Sequence, residues 1–188
     1  MQISRFAFVR LIVAVTLLAG AGAGVARAQQ DKKEHVAGVY NYTQVDASIA
    51  CGGATKPTVM AALKKHGFVS VINFRLSSER GAYVAEEEAA AKKVGLKYFH
   101  LPFNGSAPEP AVATEFLKIV TDRANQPVYI HCATAGRVGA MWMIKRVLVD
   151  HWSIAKAEQE AELIGMKGEG LKRFALDYIK AHGGPSGD

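Results

Sequence analysis

Residues 127–139 read P-V-Y-I-H-C-A-T-A-G-R-V-G, and no other stretch constrains the fold as tightly. Val128, Tyr129 and Ile130 have the β-branched and aromatic composition of a buried strand. After Arg137, apolar side chains return at helical spacing with Val138, Met141 and Trp142. A strand must therefore become a helix across Cys132, Ala133, Thr134, Ala135, Gly136 and Arg137. The residues between Cys132 and Arg137 are all small, so successive backbone N–H groups can converge on one point. The helix N-terminus behind them adds roughly half a positive charge. Such a loop is an anion cradle. The thiolate is the nucleophilic form of cysteine, and helix N-termini and nearby cations favour it. Arg137 completes the cradle with a planar fork that matches a phosphate-like oxyanion and keeps its charge.

The rest of the chain alternates in the same manner. Strand composition recurs at residues 45–51, 68–74 and 96–101, and helical spacing at 57–66, 83–94, 111–124, 138–149, 154–164 and 169–182. This order predicts a three-layer α/β/α domain over 45–182 with a short, mostly parallel sheet of four to five strands. Its ligand loop then lies at the carboxyl ends of the strands. Residues 29–44 are polar and read as a flexible N-terminal segment, and 183–188 as a disordered tail. The charge run Glu86-Glu87-Glu88 followed by Lys92-Lys93 is the solvated face of a helix, with acids and bases placed as the macrodipole prefers.

His131-Cys132 at a strand end, a loop of small residues, Arg137 and a helix together resemble the signature of the cysteine-dependent protein tyrosine and dual-specificity phosphatase superfamily. From about residue 45 to 165 the chain resembles more narrowly the bacterial phosphatase-like domains that include those fused to NAD kinases. The resemblance implies a dual-specificity phosphatase-like fold and a phosphorylated protein or small phosphoester as partner. It further implies Cys132 as nucleophile forming a cysteinyl-phosphate, Arg137 as phosphate clamp, and Ala133, Thr134, Ala135 and Gly136 as the substrate-binding loop, with no metal or organic cofactor. His131 is a candidate for orienting the loop. Arg75, with Glu79 and Arg80, is a candidate for supporting the site's edge.

Three positions depart from that pattern. Four residues separate Cys132 from Arg137 where the superfamily has five. Val138 stands where a hydroxyl residue usually follows the arginine, leaving Thr134 as a substitute if its hydroxyl turns inward. An aspartate general acid is expected after the preceding strand, but the segment there offers Asn104, which cannot protonate a leaving group; Glu109 is the nearby carboxylate. The short loop also has the length found in rhodanese-like sulfurtransferases, so transfer of a Cys132 persulfide is a rival reading. A phosphate-binding module with little catalysis is another, and a buried structural cysteine with a helix-capping loop a third.

The chain opens with Arg5 and Arg10, continues through an apolar run at 11–24 broken only by Thr16, and reaches Ala26-Arg27-Ala28 before Gln29. These are the three parts of a secretory signal peptide over residues 1–28, with cleavage after Ala28; the run is too short and too rich in Gly and Ala for a spanning helix. The expected mature protein is periplasmic or secreted, free of the membrane, and about 160 residues long, enough for one core. The formal net charge of +6 includes Arg5, Arg10 and Arg27. The remaining bases are interleaved with acids, which argues against nucleic acid as a partner. Two cysteines, Cys51 and Cys132, would share an oxidising compartment. A disulfide between them would staple the domain and block the nucleophile. The motif around Cys132 alone favours a thiol there, with Cys51 a small strand residue.

Overall fold

Short apolar runs become parallel strands here because both of their faces are covered. The computed structural model describes residues 32–185; the expected signal peptide and residues 186–188 of the expected tail lie outside them. Strands β1 (Lys32–Glu34), β2 (Tyr42–Gln44), β3 (Ile49–Gly52), β4 (Ser70–Asn73), β5 (Lys97–His100) and β6 (Val128–His131) form one sheet in the order β1-β2-β3-β6-β4-β5. The pairings β3–β6, β6–β4 and β4–β5 are parallel. Every residue of β3, β4 and β6 is buried.

Side-chain alternation along these strands builds two cores. Ala50, Val71 and Tyr129 face Val59, Met60 and Leu63 of α1 (Val59–Lys65) and Ala91 of α2 (Val84–Lys93). Ile49, Ile72, Val128 and Ile130 face the opposite way, into a larger core. That core takes Phe116 from α3 (Pro110–Thr121), Met141 and Trp142 from α4 (Gly136–Leu148), Ala161 and Ile164 from α5 (Ile154–Ile164), and Phe174 and Ile179 from α6 (Glu169–Ala181). Helices therefore cover both faces of the sheet, as the alternating pattern predicts.

The sheet is wider than four or five strands, and the difference lies in the segment read as flexible. Residues 32–44 are not a loose leader: β1 and β2 pair antiparallel, and β2 pairs antiparallel with β3. Nor do residues 45–51 form one strand. Asp46 Oδ1 accepts from both the backbone N–H and the hydroxyl of Ser48 at 2.7 Å, an Asx turn that folds the chain back between β2 and β3. Nothing apolar announces β1, whose three residues are all exposed. An edge strand is held by its ladder and carries no buried face for a pattern search to detect.

Close approach between α4 and α5 sets the position of the loop that precedes α4. A Cβ on Gly139 would lie 2.6 Å from the Ala161 carbonyl oxygen and 2.9 Å from Met166 Cβ. Backbone on the far side of that contact cannot swing away as a flexible side chain could. Gly139→Ala is accordingly expected to destabilise the protein by about 1–3 kcal/mol, read as a lowered urea midpoint with unchanged m-value; an unchanged midpoint would show that α5 can move aside.

Candidate active site

β6 delivers the loop at the carboxyl edge of the sheet. The N–H of Cys132 still follows the ladder and donates to the Gly52 carbonyl at 3.3 Å. Beyond it the chain leaves the sheet, and the Ala133 carbonyl accepts from Ala54 N–H at 2.8 Å. Gly53 lets the strands come this near: a Cβ there would fall 2.8 Å from the Ala133 oxygen. Ala135, the N-cap of α4, sits at φ 69, a left-handed conformation uncommon for a residue with a Cβ, and its carbonyl accepts from Gly139 N–H at 3.0 Å. With carbonyls turned outward, the N–H groups of Ala133, Thr134, Ala135, Gly136 and Arg137 donate to no backbone carbonyl among the described residues. They stand at the start of a 13-residue helix, where unpaired N–H groups can receive an anion.

Arg137 stands beside this cradle, and most of its donors are already committed. Nη1 donates to the carbonyls of Phe74 at 3.1 Å and Phe103 at 2.9 Å and to Glu79 Oε1 at 2.6 Å, while Nη2 donates to Glu79 Oε2 at 2.9 Å. Glu79 thus grips the two-pronged end of the guanidinium and leaves Nε–H and one Nη2–H for a second planar partner. Burial opposes the arginine's charge, but the hydrogen bond to Glu79 and the nearness of the Cys132 sulfur and the Glu79 carboxylate raise its pKa above the ordinary value. Sulfur and guanidinium are therefore neighbours.

Arg75 acts one step back. It is buried at 5% exposure, with Nε on Glu79 Oε2 at 3.1 Å and its Nη atoms on the carbonyls of Gly81 and Arg80 at 2.6 and 2.8 Å. Together with the Leu76 N–H, which donates to Glu79 Oε1 at 2.8 Å, it shapes the turn that presents Glu79 to Arg137. Arg80 enters this cluster through its carbonyl.

The other sequence candidates separate. Thr134, Gly136 and Arg137 line a cleft of about 700 Å³, whereas Cys132 is buried at 1% exposure and does not line it. His131 is on the opposite face of the sheet: its ring stacks on Tyr129 with centroids 5.6 Å apart, and its Nε2 is 3.2 Å from Glu87 Oε2 in the interior. That removes Glu87 from the solvated helix face to which its neighbours belong, for its side chain is fully buried and also accepts from Asn73 and Tyr98. Asn104 is exposed and uses Oδ1 to accept from Ser106 N–H at 3.0 Å. Glu109 is the exposed N-cap of α3 and does not line the cleft. Val138 is wholly buried in the larger core. Cys51 and Cys132 are both buried and no disulfide joins them.

Lys33, Tyr40, Glu162 and Lys167 are among the other residues that line the cleft, and sequence reading misses all four. They come from β1, the turn before β2, and the α5–α6 region, none of which carries a local motif. Among the described residues no group of three or more His, Cys, Asp or Glu side chains is arranged to hold a metal ion.

A strand that ends at a cysteine, a small-residue loop with unpaired N–H groups, and an arginine at the head of the following helix make a candidate oxyanion site on an α/β scaffold. The chain belongs to the family described as the DSP-PTPase phosphatase fused to NAD+ kinase, whose profile matches residues 18–175, and so stands among the cysteine-dependent phosphatases. Similar solved structures include TpbA of P. aeruginosa in complex with pTyr, 17% identical over 80% of this chain and 90% of that one, with a TM-score of 0.61. The core catalytic domain of the PP-IP phosphatase SIW14 from S. cerevisiae is 21% identical over 77% and 88%, with a TM-score of 0.64. A DUF442 protein from Shewanella putrefaciens CN-32 is 17% identical over 78% and 95%, with a TM-score of 0.65. At these identities the likeness is one of fold. No match was found among curated protein sequences.

Burial pushes the Glu79 carboxyl up, but hydrogen bonds from Arg137 and Leu76, the Arg137 charge and the Arg75 hydrogen bond hold it at about 2 against an ordinary 4.5. A carboxylate depressed in the folded state contributes stability above its unfolded pKa and loses it as pH falls toward the folded one. Urea unfolding should therefore show the wild type losing stability between about pH 4.5 and pH 2 more steeply than Glu79→Gln. Parallel slopes in that window would contradict the pairing.

Proposed function

We propose that this protein hydrolyses phosphomonoesters through a cysteinyl-phosphate on Cys132. The observation that carries the reading is the run of loop N–H groups, Ala133 to Arg137, that donate to no backbone carbonyl among the described residues, beside a guanidinium held end-on by Glu79. The Cys132 thiolate attacks phosphorus as the bond to the leaving oxygen breaks. Loop amides and Arg137 hold the three equatorial oxygens as charge spreads over them. Water then attacks the thiophosphate, phosphate departs, and the thiolate is restored.

The leaving oxygen needs a proton, and Asn104 has none to give. Glu79 is ionised and engaged with Arg137, and Glu109 faces solvent outside the cleft. Glu162 is the carboxylate among the lining residues, and we assign it as proton donor to the leaving group and as base for the attacking water. Around it, Tyr40 at 61% exposure and Leu163 at 57% give the cleft an apolar wall, with Lys33 and Lys167 adding positive charge. This lining suits a phosphate ester of an aromatic or mixed apolar group, such as phosphotyrosine in a protein. The pTyr bound by the structurally similar TpbA is consistent with that choice. Family membership favours phosphoryl over sulfur transfer.

Cys132→Ser should lower hydrolysis of p-nitrophenyl phosphate by at least about a thousandfold, and equal turnover in both proteins would exclude the mechanism. Glu162→Gln should slow phenyl phosphate, whose leaving group needs the proton, by about a hundredfold, with a much smaller effect on p-nitrophenyl phosphate. Glu109→Gln should leave both rates unchanged. Production of cyanide-derived thiocyanate from thiosulfate, with a persulfide mass on Cys132, would instead establish sulfur transfer.

The reading includes export. Arg5 and Arg10, the apolar run at 11–24 and Ala26-Arg27-Ala28 have the order of a signal peptide. N-terminal sequencing of the protein recovered from the periplasm or medium should begin at Gln29; a full-length chain retained in the cytoplasm would refute it.

A further inference from the structure

We infer that Asn41, braced by Lys33, is a positioning residue that keeps the Thr134–Ala135 peptide turned with its N–H toward the cradle. This rests on the proposed oxyanion site and adds what holds its loop in register. Asn41 Nδ2 donates to the Thr134 carbonyl at 3.1 Å and to the Ile164 carbonyl, at the end of α5, at 3.0 Å. Lys33 Nζ donates to Asn41 Oδ1 at 2.5 Å and to the same Ile164 oxygen at 2.9 Å. The amide has one workable orientation, because a flip would set Oδ1 against two carbonyl oxygens and Nδ2 against an ammonium. Gly165 leaves the space, since a Cβ there would lie 2.8 Å from Asn41 Nδ2 and 3.0 Å from the Thr134 oxygen.

A trans peptide is planar, so the Thr134 carbonyl and the Ala135 N–H point in opposite directions. Pulling the carbonyl outward aims the N–H inward. The conformation is not the one Ala135 favours by itself: its φ of 69 lies in the left-handed region, which a Cβ disfavours. Rotation of the Thr134–Ala135 peptide would relieve that strain and place a carbonyl oxygen inside the cradle, where it repels an anion. The neighbouring peptides are held by backbone, Ala133 O by Ala54 N–H and Ala135 O by Gly139 N–H. Among the described residues, Thr134 O has only the Asn41 side chain as donor. Asn41 is itself fixed in place, with Tyr40 paired to Ala54 at 2.9 Å and to Gly53 at 2.7 Å.

Vanadate binding and p-nitrophenyl phosphate turnover, measured on the wild type, Asn41→Ala, Asn41→Asp and Asn41→Ala combined with Ala135→Gly, test this. Both single variants should bind vanadate about tenfold more weakly and lose a similar factor in kcat/KM, while circular dichroism shows a folded protein. Ala135→Gly removes the left-handed penalty and should restore part of the loss in the Asn41→Ala background, which a merely structural role for Asn41 does not predict. Wild-type vanadate affinity in both single variants overturns the inference, as does absence of rescue. If the wild type turns over no phosphate ester, the phosphatase reading falls; the binding comparison still decides the clamp.

Discussion

A part-buried guanidinium set where three loops meet organises this site. Arg137 reaches from the first turn of α4 to the carbonyls of Phe74, just after β4, and Phe103, just after β5, and to the carboxylate of Glu79. A charge withdrawn from water must be surrounded by oxygens, and breaking such a set by removing one partner is far more costly than never having formed it. The arginine therefore fixes the relative positions of the strand ends at the same time as it offers its remaining edge to a ligand. Arg75 repeats the device one layer out, spending its donors on Glu79 and on the carbonyls of the turn that carries it.

A loop with one residue fewer than the superfamily pattern must obtain its curvature from its surroundings. Ala135 takes a left-handed conformation that glycine would adopt more readily, and the outward carbonyls are claimed by Ala54, Asn41 and Gly139. The N-terminal hairpin supplies the middle one of these and brings Tyr40 and Lys33 to the cleft. What resembles a leader in composition is part of the wall.

The sequence made the core of the site legible because its parts are contiguous. Cys132 and Arg137 are joined by a loop too short to separate them, and strand composition before and helical spacing after dictate where it sits on the sheet. The alternation of β6 also contained the answer for His131: it lies two residues after Tyr129 and one before Cys132, so the period of two puts it on the Tyr129 face, away from the larger core that takes Cys132. Their place after β5 makes Asn104 and Glu109 candidates, but proximity in sequence to Phe103 does not turn either into the cleft. Glu87, one acid in a run of three, could not be distinguished from its exposed neighbours until Asn73, Tyr98 and His131 were seen around it.

By itself the sequence determined the layered α/β class, the element order from α1 onward and the pairing of thiol with guanidinium, because periodicity and short connections are local properties. The tertiary structure alone decided which carboxylate grips Arg137, across 58 positions, and which amide holds Thr134, across 93. It also decided that two polar strands extend the sheet. Contacts of that span depend on how separate elements stack, and stacking is set by the summed burial of two cores, which no single stretch of sequence encodes.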